Sequence, residues 1–311
     1  MTRSPLVLLT GATGFVGSAV LPVLLADGMR IRVLSRRPAR LPTGVELHVA
    51  DQVDDDGLAR AVDGVHTVCH LAGRAHVTGR DRRQQHAFDA VNVDGSLRLA
   101  RAAFAHGAAR MVFVSSIGAV GATSPPGRPW TEDEPCRPTT PYGRSKQRAE
   151  QALRDEVGRY GAELVVIRPP LVHGHGAPGN LARLSRLVSR GVPLPLAGVD
   201  NRRSLIHVAN LARVLSAAIT VPAAAGQIFH VRDRCDYSTP QIVTAAAQAA
   251  GRRPRLFRAP LPMVQAAASI TGRTAIFEQL TGWLQVDDRR ARDVLGVIPR
   301  HRPLEIGSAA T

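Results

Sequence analysis

Residues 6–17 read Leu-Val-Leu-Leu-Thr-Gly-Ala-Thr-Gly-Phe-Val-Gly, and no other stretch restricts the fold as strongly. The apolar run Leu6–Thr10 suits a buried strand, and Gly14–Ala26 carries a helical pattern. At the junction, Gly11 permits a tight turn, Gly14 lets backbone N–H groups approach a pyrophosphate, and Gly17 lets helix and sheet pack closely. Three glycines alone are weak evidence. A strand before them and a helix after them supply the context that a dinucleotide site requires.

The alternation continues along the first half. Strands are expected at Ile31–Ser35, Val45–Val49, Val65–Leu71, Met111–Ser115 and Leu164–Arg168, with helices near Asp56–Ala61, Gln84–Ala105 and Tyr142–Tyr160. Such spacing predicts an α/β fold: a Rossmann-type doubly wound parallel sheet with a smaller C-terminal substrate-binding lobe. The dinucleotide domain is expected over residues 1–168, with segments near 202–232 returning to it, Ile228–Val231 as a late strand. The lobe is expected over most of 169–311. Thr123–Pro141, rich in Pro and Gly, reads as a long active-site loop.

Charge narrows the function classes. The formal net charge of +15 in 311 residues suggests a nucleic-acid binder at first sight. The arginines are spread along the whole chain, however, and no nucleic-acid motif accompanies them. A cleft for phosphate-bearing small molecules explains part of the excess, and a general drift towards arginine explains more. Within that drift, only one of the 40 basic residues is a lysine, Lys146, and it lies four residues after one of only three tyrosines. Arginine serves wherever positive charge alone is needed, whereas a compact ammonium can sit beside a phenol and a ribose. Three cysteines without CxxC spacing suit a reducing compartment. With no signal-peptide pattern and no apolar stretch near the ~20 residues needed to span a bilayer, a cytoplasmic protein is expected.

Tyr142-Gly-Arg-Ser-Lys146 follows Pro141 and opens a helix, so Tyr142 and Lys146 lie one turn apart on one face. A phenol titrates near 10 when unperturbed, and an adjacent ammonium is expected to lower that value towards useful acid/base chemistry. Val112-Phe-Val-Ser-Ser116 ends a buried strand, where a hydroxyl would polarise a substrate carbonyl. Singly, the serines could be strand-end caps and the Tyr/Lys pair an exposed helical turn. Together with the glycine turn they point to hydride transfer. After the second strand the sequence Leu34-Ser35-Arg36-Arg37 lacks the carboxylate that would bind the ribose hydroxyls of NAD, so NADP is favoured over NAD, with Arg36 facing the 2′-phosphate.

These pieces resemble the extended short-chain dehydrogenase/reductases of the NAD-dependent epimerase/dehydratase group. The resemblance rests on TGATGFVG (10–17), HLAG (70–73), VNVDGSLRLARAA (91–103), FVSSIGAVG (113–121), PYGRSK (141–146), RPPLVHG (168–174), RRSLIHVANLA (202–212) and VDDRRARDVLGVIP (286–299). It implies Tyr142 as acid/base, Lys146 as its partner and Ser116 as the carbonyl-orienting hydroxyl. Thr13, Phe15 and Val16 would join the glycines at the pyrophosphate, with Asp51 and Gln52 near the adenine. Leu71, Ala72, Gly73, Asn92 and Pro169 would surround the nicotinamide half. Asn180 and Arg203 would contact the diphosphate of a nucleotide sugar, although Arg203 reads equally well as a solvated neighbour of Arg202. His207 is expected to be structural. Two positions depart from the family: Val120 and His173 stand where Tyr is frequent, at places expected to shape the pocket.

The expected reaction is reduction, or reversible oxidation, of a 4-keto nucleotide sugar. The run from Leu194 to Leu205 resembles nucleotide-diphosphate hexulose reductases of polysaccharide assembly. The alternatives are a C4 epimerase that retains NAD, and a non-catalytic NADP-binding sensor, which would not need Tyr142 and Lys146. Dehydration wants a carboxylate pair just after the catalytic serine, and Ile117-Gly118-Ala119 has none. Relatives of this kind pair two helices per subunit into a four-helix bundle, so a homodimer through 84–105 and 142–160 is expected. No metal is implied.

Overall fold

The computed structural model describes residues 4–51, 54–75, 82–300 and 304–306. Its strands are β1 (Leu6–Thr10), β2 (Arg30–Ser35), β3 (Glu46–Val49), β4 (Thr67–His70), β5 (Arg110–Val114), β6 (Glu163–Arg168), β7 (Leu171–His173), β8 (Arg203–His207), β9 (Ile228–His230) and β10 (Asp236–Tyr237). Seven of them form one sheet in the order β3-β2-β1-β4-β5-β6-β9, every neighbouring pair parallel. The order reverses between β1 and β4, and ligands of such sheets bind in the crevice outside the strand ends at that point.

Burial on both faces explains why β1 is apolar throughout. Val7 and Leu9 enter a core with α1 (Phe15–Ala26) and α7 (Val208–Thr220), while Leu6 and Leu8 enter the opposite core. There they meet α2 (Asp55–Val62), α4 (Gly95–Ala105) and α5 (Pro141–Tyr160). Between them lies α3 (Arg82–Asp89), which packs against α5. The late strand joins the large sheet as expected: β9 pairs with β6.

β8 instead joins β7 and β10 in a three-stranded sheet. Behind it α6 (Asn180–Ser189) and α8 (Thr239–Ala249) share a core containing Leu181, Leu205, Ile242 and Ala246. A helical hairpin, α9 (Leu261–Ile270) and α10 (Thr274–Thr281), and the short α11 (Arg289–Leu295) complete the chain.

The single helix expected over 84–105 is interrupted. Residues 90–94 form a π-helical turn between α3 and α4. The extra residue turns Asn92 inward, where it is 1% exposed. Its amide donates to Arg74 O (3.0 Å) and Ser145 Oγ (2.9 Å) and accepts from Arg74 N (2.8 Å). Those bonds offset the irregular turn, and such turns are frequent at functional sites.

Candidate active site

Two loops meet at the switch point. Gly11 has φ +72°, and a Cβ there would lie 2.8 Å from Ala72 N, so the turn after β1 lies directly against the loop after β4. A Cβ on Gly17 would collide with Gly11 O. Gly14 caps α1 without any side-chain hydrogen bond, and no acid stands in the first turn. The amides of Phe15, Val16 and Gly17 therefore begin the helix with no side-chain acceptor drawn over them, a cradle suited to a pyrophosphate. Thr13 and Gly14 are exposed there, while Phe15 packs into the lobe core.

His70 locks the two loops. Its Nδ1 lies 2.7 Å from Thr10 Oγ1 and its Nε2 2.9 Å from Ser96 Oγ. Thr10 Oγ1 accepts from Ala72 N, and the Ser96 hydroxyl donates to Asn92 O. Nε2 thus carries the proton and Nδ1 accepts. Burial, helped by the Lys146 charge, lowers the imidazole to about 3, which keeps it neutral.

The candidate catalytic residues come from two elements pressed together. Ser116 follows β5 and caps the turn Ile117–Ala119, accepting from Gly118 N at 3.0 Å. Across from it, α5 starts with Thr140 as N-cap and Pro141 in its first turn. Thr140 accepts from Gly143 N (3.0 Å). A Cβ on Gly143 would overlap Gly118 O, so only glycine lets the helix seat against the serine turn. This contact sets Tyr142 beside Ser116, whose side chain favours the ionised phenol. One turn on, Lys146 is 4% exposed, donates to Val114 O (2.8 Å) and lies 4.6 Å from the Phe113 ring centroid.

The proton balance differs from the sequence expectation. Burial raises Tyr142 to about 12, opposed by the neighbouring Ser116 hydroxyl, where the sequence predicts a value lowered by Lys146. Lys146 itself is lowered to about 8 by burial, while Glu150 opposes the shift. In this arrangement Tyr142 holds its proton and Lys146 is poised close to neutrality.

Beneath the trio lies a cluster that sequence reasoning missed. Arg168 Nη2 donates to Glu150 Oε2 at 2.6 Å, and Arg168 Nε donates to both carboxylate oxygens. Ser115 donates to the same carboxylate. The one available signal was position: Glu150 lies a further helical turn beyond Lys146, on the same face.

The remaining expected residues fall around this centre. Leu71, Ala72 and Gly73 follow β4. A Cβ on Gly73 would lie 3.1 Å from Asn92 Oδ1 and 3.4 Å from Lys146 Nζ, which leaves a floor without a side chain beside the ammonium. Pro169 follows β6 and accepts from Ile117 N (2.9 Å). Arg36 and Asp51 are exposed where β2 and β3 end, and Arg37 N donates to Ser35 Oγ at 3.4 Å. Gln52 lies outside the described residues. The cradle, the open floor and the buried ammonium together fit a nicotinamide dinucleotide.

In the lobe, Asn180 is exposed at the start of α6, after Gly179 at φ +70°. Arg203 is not a solvated neighbour of Arg202: it is 7% exposed and donates to Gly282 O at 2.8 Å. Burial lowers it to about 10, and among the described residues it has no carboxylate partner. The segment 283–287 ties β8 to the active-site loop. Leu284 N donates to Arg202 O (2.9 Å) and Ser204 N to Leu284 O (2.7 Å), while Ser124 N donates to Trp283 O (2.9 Å).

The two departures are core positions rather than pocket walls. Val120 is 2% exposed in a cluster with Ile117, Trp130, Leu284 and Val286. His173 is fully buried and holds Asp233 at 2.8 Å, leaving no face for a ligand. His207 is structural, as expected: it caps α7 and contacts Glu305 at 3.1 Å.

Known proteins are similar to this chain in sequence and fold. A model of the NAD dependent epimerase/dehydratase family matches residues 7–231. The chain is 33% identical over 296 residues to a UDP-glucose 4-epimerase of Vibrio cholerae, covering 94% of this chain and 90% of that one. It is 32% identical over 283 residues to a ceramide reductase of Caulobacter vibrioides, covering 87% and 81%. Among solved structures, the UDP-glucose 4-epimerase of Thermus thermophilus in complex with NAD has TM-score 0.75 at 25% identity, covering 97% and 96%.

Proposed function

The chain belongs to the NAD-dependent epimerase/dehydratase family, an enzyme of the extended short-chain dehydrogenase type, and from that premise we propose that it reduces a keto carbon of a nucleotide-diphosphate sugar. The observation that carries the proposal is the seating of α5 against the serine turn, which sets Tyr142 beside Ser116, with the buried ammonium of Lys146 one turn along the helix.

A bound nicotinamide supplies the hydride. Ser116 orients the carbonyl, and Tyr142 Oη, still protonated at neutral pH, delivers the proton to the developing alkoxide. Lys146 stays on its Val114 anchor with two further N–H donors for a ribose hydroxyl and for the phenolate as it forms. Gly11, Gly14 and the first amides of α1 hold the pyrophosphate, and His70 keeps the two loops in register. Asn92 and Pro169 brace the nicotinamide side.

Arg203 supports the substrate class. A buried guanidinium without a carboxylate is stabilised by a ligand phosphate, which it binds in a bidentate manner. Asn180 stands in the same lobe. NADP is the preferred cofactor in this proposal, since the segment after β2 presents Ser35 and exposed Arg36 rather than an acid. The lobe is assigned to most of 169–311 and the dinucleotide domain to 1–168 with the returning β9. Two copies would associate through α3, α4 and α5.

A second reading, C4 epimerisation with retained NAD, is favoured by the Vibrio cholerae relative. Incubating purified protein with 4-keto nucleotide sugars and NADPH separates the two. Stoichiometric NADPH oxidation is expected, lost about 10²–10⁴-fold in Tyr142→Phe. Sugar interconversion without cofactor consumption would establish the epimerase instead, and neither activity would remove both.

A further inference from the structure

Residues 252–281 are joined to the lobe at both ends, Arg255–Phe257 pairing with Leu194–Ala197 and Leu280 O accepting from Asn201 and Thr239, and between those ends they carry an exposed hairpin. α9 reads Leu-Pro-Met-Val-Gln-Ala-Ala-Ala-Ser-Ile, without one charged residue, and yet none of its residues is buried. α10 buries none either. The two helices pack on each other, and Leu261 and Leu280 attach the pair to the lobe core. Outward from that attachment, Met263 is 69% exposed, Ile270 87%, Phe257 48% and Ile276 41%. Single exposed apolar residues are ordinary, but Phe257, Met263, Ile270 and Ile276 gathered on one hairpin mark a surface that meets something apolar.

The charge beside this surface is equally one-sided. Arg252, Arg253, Arg255 and Arg258 precede α9, Arg273 joins the helices, and Glu278 is the one acid in the segment. All five arginines are exposed. Some arginines elsewhere find carboxylates, as Arg32 does with Glu46, Arg148 with Asp89 and Arg290 with Asp133. Among the described residues none of these five has such a partner. Arg255 donates only to the neutral Gly191 O, at the end of α6, next to exposed Val192 and Leu187.

We propose that the α9–α10 hairpin and its arginine flank form a membrane-docking surface, which lays α9 into the interfacial layer of an anionic phospholipid bilayer. The arginines flank α9 rather than form a face of it, so insertion of Met263 and Ile270 and attraction of the arginines to anionic headgroups would act together, the two contributions that set interfacial binding. At ten residues α9 is half the length needed to cross. A second copy of this chain would fit the apolar face but set five unpaired arginines against five more. Anionic headgroups over acyl chains complement both halves of the surface at once. The proposal is independent of the cofactor and of the sugar.

The test is co-sedimentation of the full chain with vesicles of phosphatidylcholine alone and with phosphatidylglycerol added. Sedimentation with the anionic vesicles is expected, weakening as salt rises. Met263→Glu with Ile270→Glu abolishes it, and Arg252→Gln with Arg253→Gln weakens it by roughly fivefold per arginine. In Ile270→Trp the indole emission shifts to the blue on adding anionic vesicles, a readout that does not depend on the glutamate variants folding. Absence of binding, or equal binding to neutral vesicles, overturns the proposal. So does a dimer in solution that the glutamate pair converts to monomer, since the surface would then belong to a second copy.

Discussion

Around Ser115, Lys146, Glu150 and Arg168, polar side chains are buried among partners, whereas on the outer face of α9 and α10 Met263, Ile270 and Ile276 stand exposed. Hydropathy alone would place these two regions the other way round. The charged cluster is inside because each group has partners there: Arg168 meets both oxygens of Glu150, and Ser115 shares them. The hairpin is outside because, among the described residues, nothing covers its outer face. Burial in this molecule follows the partners that a residue has.

The largest test of the contrast removes a partner. Glu150→Ala leaves a buried guanidinium without its carboxylate and removes the negative charge that opposes the lowering of Lys146. A loss of about 3–5 kcal/mol is expected in denaturant unfolding. A loss below about 1 kcal/mol, the range of exposed ion pairs, would show that the cluster is wet and the contrast false.

Next comes a change to the fit rather than the charge. Gly143→Ala forces the first turn of α5 away from Gly118 O and carries Tyr142 with it. A misplacement of about 1 Å costs about a hundredfold in kcat, to be read as NADPH oxidation with the sugar substrate. Gly158, on the same helix, has nothing within 4 Å of the point where a Cβ would stand, so Gly158→Ala leaves the rate unchanged. Equal rates in the two variants would detach the close approach from catalysis.

How much of this was legible depends on how local each cause is. The glycine turn, the parallel strands and the Tyr142/Lys146 spacing are written in consecutive residues, and sequence periodicity found them. The π-helical turn at 90–94 was hidden because its cause is distant: Asn92 reaches Arg74 and Ser145. The Glu150–Arg168 pair joins a helix to a strand 18 residues away. Gly143 looked like a mere helix residue because the carbonyl it avoids lies in another loop. The reversed expectation for Tyr142 has the same origin, since desolvation depends on what packs around the ring, and no neighbouring letter records that.

The third test uses pH. Lys146, lowered to about 8 by burial, is charged below that value and loses its proton as pH rises through it. If the ammonium supports the developing phenolate, the rate of reduction is level below about pH 8 and falls about tenfold by one unit above it. Lys146→Arg keeps its charge throughout the range, so its profile is flat there, at a lower rate because the planar guanidinium fits the ribose site poorly. An alkaline fall that survives in Lys146→Arg would assign the titration to another group.

The smallest effect is expected at the other pole of the comparison. Ile270→Ser changes the stability of the protein in dilute buffer by no more than about 0.5 kcal/mol, the range of surface substitutions, because Ile270 is 87% exposed. The yardstick is Leu153 on α5, fully buried, where truncation to alanine costs about 2–5 kcal/mol in the same unfolding measurement. If Ile270→Ser approaches that cost, the hairpin folds onto the body of the protein in solution, its apolar side chains have partners after all, and the surface offered to a bilayer disappears.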